Sequence, residues 1–127
     1  MKLLLDTHAL LWFQAGDRRL SKAARRAIEA DDAELLISAA SVWEMAIKAS
    51  LGRLQLPGPV GGYLAEKVGQ GYRMLAISWT HAARVEDLPW HHRDPFDRLL
   101  VAQALTERYP VVTRDRVFHK YGVEVVW

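Results

Sequence analysis

Lys2-Leu3-Leu4-Leu5-Asp6-Thr7-His8-Ala9-Leu10-Leu11-Trp12-Phe13 begins with an apolar run that stops at a carboxylate and continues without a glycine or proline. The run from Lys2 to Leu5 reads as a short strand and the segment after it as a helix through about Phe13. The same alternation recurs along the chain. Ser21 is a suitable N-cap for a second helix, with Ala24, Ala27 and Ile28 on its inner face. Leu35-Leu36-Ile37 reads as a strand, and Ala39 to about Leu51 as a helix stopped by Gly52. After the loop Leu56-Pro57-Gly58-Pro59 come a helix over about Val60 to Gly69, a strand Met74-Leu75-Ala76-Ile77 and a helix over about Thr80 to Asp87. Pro95 to Arg108 is apolar almost all round, so a deeply packed helix is expected. A strand Val111-Val112-Thr113, a short helix Arg116 to Tyr121 and a last strand Val123 to Val126 complete the pattern. Strands separated by helices imply parallel pairing with right-handed crossovers, hence a three-layer α/β/α sandwich of about five strands.

At 127 residues the chain is the size of one domain, and no repeat or linker divides residues 1–127. Cysteine is absent, which excludes disulfides, zinc–thiolate sites and thiol chemistry. Asp6 interrupts the first apolar run too early for a signal peptide or a membrane span, so a cytoplasmic protein is expected. A net charge of +2 does not by itself argue for a nucleic-acid partner.

Ligands of open α/β sheets bind at the carboxyl ends of the strands. Asp6 closes the first strand, Glu44 sits early in the helix after the second, and Asp115 lies just past Val111-Val112-Thr113. Asp97 falls in the first turn of the helix beginning at Pro95, and would join them if that helix starts at the same rim. Each acid also has an ordinary explanation. Asp6 and Asp115 could cap helices, and Ser41-Val42-Trp43-Glu44 fits a capping box. Asp94-Pro95-Phe96-Asp97 has the form of a cap, a proline at N1 and an acid at N3. Together they are harder to dismiss. Two unit charges about 4 Å apart repel by about 4 kcal/mol at an effective dielectric near 20, so such a cluster calls for shared protons or a cation. Oxygen ligands alone favour Mg²⁺ or Mn²⁺ over zinc, and carboxylate-held divalent ions suit phosphodiester cleavage.

At these residues the sequence resembles the PIN-domain family, specifically its VapC toxin type. The resemblance rests on Leu3 to Trp12, Ser38 to Lys48, His92 to Ala104 and Val111 to Asp115, four segments in the family's order. It implies a parallel sheet in the order 3-2-1-4-5 and a Mg²⁺- or Mn²⁺-dependent endoribonuclease. It further implies a cognate VapB-like antitoxin and, as is usual in the family, a homodimer. Asp6, Glu44 and Asp97 correspond to the family's core acids, Asp115 to its most variable fourth, and Thr113 to an accompanying hydroxyl. A metal-activated water would attack the scissile phosphorus, leaving a 5′-phosphate and a 3′-hydroxyl.

Around the expected rim, Arg93, Arg98, Arg114, Arg116 and Lys120 could hold an RNA backbone, with Arg98 favoured because it adjoins Asp97. His91 and His92, just before the Asp94-Pro95 helix start, could touch substrate, as could His8, although metal-dependent hydrolysis does not require them. Trp12 and Trp43 are expected in the core or in a groove for a partner helix. A receiver-like phosphoacceptor would want paired acids after the first strand, where Asp6 stands alone. A phosphatase of the haloacid-dehalogenase type would want Asp-x-Asp, where the chain has Asp6-Thr7-His8. A non-catalytic RNA- or partner-binding domain would carry an acid cluster that repels RNA.

Overall fold

The computed structural model describes all residues 1–127. Five parallel strands form one sheet in the order β3-β2-β1-β4-β5: β1 (Lys2–Leu5), β2 (Glu34–Ser38), β3 (Arg73–Leu75), β4 (Val111–Val112) and β5 (Val125–Val126). Six α-helices connect them: α1 (Thr7–Ala15), α2 (Lys22–Glu29), α3 (Ala39–Ser50), α4 (Val60–Gly69), α5 (Trp79–Arg84) and α6 (Pro95–Glu107). The expected strand order and sandwich architecture are present.

Successive strand residues face opposite sides, and both sides are buried. Leu3, Leu5, Ile37 and Val112 point into one core, packed by Ala9 and Leu10 of α1, Ile28 of α2, Met45 of α3 and Leu64 of α4. Leu4, Leu36 and Val111 point into the other, packed by Leu100, Val101 and Ala104 of α6 and by Phe118. This explains why the strands are runs of leucine, isoleucine and valine without a polar alternate.

Several boundaries differ from expectation for identifiable reasons. The third strand pairs Leu36 with Arg73 and Ser38 with Leu75. It ends there because β2 ends at Ser38, and the carbonyl of Ala76 instead accepts from Gln103 Nε2 at 3.3 Å. The fourth strand stops at Val112, and the last starts at Val125 rather than Val123. Arg116–Tyr121 is a 3-10 helix closed by Gly122, whose φ of 86° suits a residue without a side chain. The helix expected over Thr80 to Asp87 is α5 followed by a 3-10 turn, Val85–Asp87. No helix is long and apolar enough to cross a membrane.

The chain runs outward from β1 to β2 and β3, then returns over the sheet to place β4 on the other side of β1. The order therefore reverses between β1 and β4. At such a reversal the two following loops diverge and open a crevice at the carboxyl rim.

Candidate active site

The crevice is a cavity of about 260 Å³, lined by Asp6, Glu44, Asp97 and Asp115 together with Asp94, Thr7, His8, Ser41 and Lys48. All four acids expected from the sequence thus border one space. Each is aimed by ordinary local structure. Asp6 is the N-cap of α1 and accepts from Ala9 N at 2.7 Å. Asp115 caps the 3-10 helix, accepting from Val117 N at 2.9 Å through Oδ1. Asp94 caps α6, accepting from Phe96 N at 2.8 Å, so Pro95 is at N1 and Asp97 is at N3. Capping and site membership are compatible, because a cap occupies only some of a carboxylate's lone pairs.

For Glu44 the capping-box expectation fails. The N-cap of α3 is Ser38, whose side chain accepts from Ala40 N. Strand passes directly into helix there, and this puts Ser41 and Glu44 within the first two turns, on the cavity side. Glu44 Oε1 accepts from the Thr7 hydroxyl at 2.6 Å, and Oε2 is paired with Lys48 Nζ at 3.0 Å. Lys48 lies one helical turn on, and the i, i+4 spacing from Glu44 was a legible signal for this pair.

The electrostatics show the strain of the cluster. Burial pushes the Asp6 carboxyl above its ordinary range, opposed by hydrogen bonds from Thr113 and the Ala9 N–H. Asp97 is raised from 3.8 to about 6, first by burial and then by the neighbouring charge of Asp94, with His92 opposing and Asp115 and Glu44 adding to it. Thr113 is fully buried, and its Oγ1 also accepts from Asp115 N at 3.1 Å, so one hydroxyl links the β1 and β4 acids.

The donor set suits a hard divalent cation: oxygen ligands, incompletely compensated, around one open cavity. Asp97, Asp115 and His92 each offer an atom, all within 4.8 Å of one another. His92 is one of the three histidines that the sequence offers near the rim. Its Nε2 lies 2.6 Å from Asp115 Oδ2 and its Nδ1 2.9 Å from the Tyr121 hydroxyl.

Arg98 requires correction as an RNA-contacting residue. It is 3 % exposed, and its guanidinium donates to the carbonyls of Pro89 at 2.9 Å, Val85 at 3.1 Å and Leu88 at 3.3 Å. One helical step of about 100° turns it from the cavity beside Asp97 to the loop behind. Arg93, Arg114, Arg116 and Lys120 are exposed. For Trp43 the core alternative fails. It is 57 % exposed rather than in the core, set edge-on against Phe96 with ring centroids 5.1 Å apart. Trp12 packs at the margin of the first core and stacks on His8.

The model of the PIN domain matches residues 3–124 of the chain. The chain belongs to the PIN-domain family. Over 115 residues it is 39% identical to Ribonuclease VapC22 of Mycobacterium tuberculosis (strain ATCC 25618 / H37Rv), a match covering 90% of this chain and 87% of that protein. Among solved structures, this PIN domain is similar to the VapBC2 complex of Rickettsia felis bound to a promoter DNA fragment, with a TM-score of 0.72 and 13% identity, covering 98% and 97% of the two chains. It is also similar to FitAcB from Neisseria gonorrhoeae, with a TM-score of 0.65 and 22% identity over 97% and 95% of the chains. At these identities the structural likeness speaks for the fold, whereas the VapC22 match carries the kinship to VapC proteins.

Proposed function

We propose that this PIN domain is a Mg²⁺- or Mn²⁺-dependent endoribonuclease, the toxin of a VapBC-like toxin–antitoxin pair. The observation that carries the proposal is the meeting of Asp6, Glu44, Asp97 and Asp115 around one cavity where the strand order reverses. Kinship to a protein named as a VapC ribonuclease supports RNA as the substrate class.

Asp6, Glu44, Asp97 and Asp115 would hold the cation. When bound, a divalent ion supplies Lewis acidity toward the phosphoryl oxygens and lowers the pKa of water. The protein's part is to place the donors. The Thr7 hydroxyl holds Glu44 Oε1, and Thr113 holds the Asp6 carboxyl beside Asp115. Lys48, partly exposed in the cavity, can leave Glu44 for an RNA phosphate once the acid is otherwise neutralised. Arg93, Arg114 and Arg116 are free to meet the phosphate backbone on either side. No protein nucleophile is needed. The partners in this reading are a VapB-like antitoxin and a second copy of the chain, and the place of action is the cytoplasm.

The test is RNA cleavage by purified protein with Mg²⁺ or Mn²⁺, after EDTA, and after the ion is restored. Cleavage should vanish with EDTA, return with the ion, and be absent in Asp6→Asn. Wild-type rates in Asp6→Asn and Asp97→Asn would sink the proposal. RNA binding without turnover under all conditions would favour a non-catalytic docking domain.

A further inference from the structure

His92 begins the segment that carries Asp97 without being one of its acids, and its side chain is closely constrained near the cavity. It is only 10% exposed, it meets Phe118 edge-on at 5.2 Å, and its ring lies nearly parallel to that of Tyr121, with an interplanar angle of 5°. Both ring nitrogens have partners, Asp115 Oδ2 for Nε2 and the Tyr121 hydroxyl for Nδ1. The backbone is held as well, because Arg98 Nη1 reaches the His92 carbonyl at 3.5 Å while also pinning Pro89.

This arrangement has a direction. A carboxylate only accepts, so the bond to Asp115 requires the proton of His92 on Nε2. In the neutral ring Nδ1 must then accept, and the Tyr121 O–H donates to it. Asp115 thus fixes the tautomer and Tyr121 matches it, His92 presents N–H to Oδ2, and Val117 N presents a second N–H to Oδ1. Asp115 is consequently held at both oxygens, each of which still has a lone pair unused by these donors, and the residue borders the cavity. The opposite assignment, with Nε2 itself binding a cation, would forfeit the 2.6 Å hydrogen bond to Asp115.

We infer that His92, braced by Tyr121, is a positioning residue that orients Asp115 toward the bound cation. The inference rests on the metal-dependent reading of the cavity. Its chemistry is that of an imidazole donating to a carboxylate that in turn faces a metal. Outer partners of this kind typically change metal affinity by about 10–100-fold when removed.

The experiment is Mn²⁺ titration of the whole chain by calorimetry, with near-ultraviolet circular dichroism as the check on folding. His92→Ala should weaken Mn²⁺ binding by about 10–100-fold. His92→Gln, whose amide N–H can reach the same carboxylate, should recover most of the loss, and Tyr121→Phe should lose a few-fold. In an Asp115→Asn background, His92→Ala should cost nothing further, because the two act as one unit. If His92→Ala does not fold, the His92→Gln and Tyr121→Phe comparison carries the test. Unchanged affinity in a folded His92→Ala, or an undiminished His92→Ala loss in the Asp115→Asn background, overturns the inference. Asp6→Asn and Asp97→Asn separate the two levels. If they also bind Mn²⁺ like wild type, the metal reading falls and this inference with it; if they weaken while His92→Ala does not, only the role of His92 fails.

Discussion

Two regions of the molecule bury charge, and they treat it in opposite ways. Lys67 of α4 is 4% exposed, but its ammonium is well provided for. Nζ meets Gln14 Oε1 at 2.8 Å, Gln70 Oε1 at 3.5 Å and Glu66 at 3.7 Å, and lies over the Tyr63 ring at 4.8 Å. Gln14 is itself fixed by donating to the Tyr72 hydroxyl at 2.8 Å. At the carboxyl rim, by contrast, five acids border one cavity, and the cation within it, Lys48, pairs with Glu44 alone. A satisfied buried charge holds a fold together. A crowd of like charges without enough cations stores free energy that a ligand can release.

Substitutions can break this contrast. Of the substitutions that set the two regions against each other, that of Asp97 should show the largest effect. Asp97→Asn should lower RNA cleavage by about a thousandfold, the scale of losing a group that organises charge in the transition state. It should nevertheless raise the melting temperature of the metal-free protein at neutral pH, because it removes a carboxyl held up by burial and by Asp94. Loss of activity together with loss of stability would argue that Asp97 is only a helix-terminal acid.

Lys67→Ala should do the reverse. It strands the Gln14 oxygen and opens space beside Tyr63, for an expected destabilisation of about 2 kcal/mol in urea unfolding. Cleavage per folded molecule should not change. A drop in that specific activity would mean that the two regions are coupled.

The pH response sharpens the comparison further. The Asp97 carboxyl is held at about 6 in the folded chain against an ordinary 3.8. The native state therefore binds more protons between those values, so this contribution to stability is full below about 4 and is lost as pH rises through 6. Asp6, shifted in the same direction, adds to the trend. Asp17 on the surface is lowered to about 2 by Arg19 and so acts only in more acid solution. Metal-free protein should thus melt at progressively lower temperature from pH 4 to 6.5, and saturating Mn²⁺ should flatten or reverse the slope. A stability that rises through that range without metal would contradict the uncompensated cluster.

Much of this was legible in the sequence because it depends on period and punctuation. Leu3-Leu4-Leu5 and Val111-Val112 are buried on both faces, and Asp6, Asp94 and Ser21 are caps with the expected partners. What was not legible depends on register and rotation. The third strand shifted because β2 ends at Ser38, which periodicity within Met74–Ile77 does not encode. Arg98 adjoins Asp97 in the chain but faces away from the cavity, and its carbonyl partners come from the irregular stretch between Val85 and His92. His92 and Asp115 lie 23 residues apart, and only the packing of that stretch against the 3-10 helix brings them together. Trp43 adjoins Glu44, yet helical rotation turns its ring outward.

The smallest expected effect belongs to Lys48. Its ammonium holds Glu44 Oε2 at 3.0 Å, where an incoming cation would compete for the same oxygen. The pair is partly exposed, with side-chain accessibilities of 39% for Lys48 and 15% for Glu44, so the attraction is worth no more than about 1 kcal/mol. Lys48→Gln should therefore tighten Mn²⁺ binding by no more than about fivefold, since 1.4 kcal/mol corresponds to tenfold. RNA affinity should move the other way, because the same substitution removes a cation that can face phosphate, and its dependence on salt should become shallower. Tighter Mn²⁺ binding with unchanged RNA affinity would assign Lys48 to Glu44 alone. Weaker RNA binding with unchanged Mn²⁺ affinity would show that Glu44 Oε2 is not needed by the cation. The signs of these two small changes thus tell whether the one lysine in the acidic cavity serves the protein, the substrate or both.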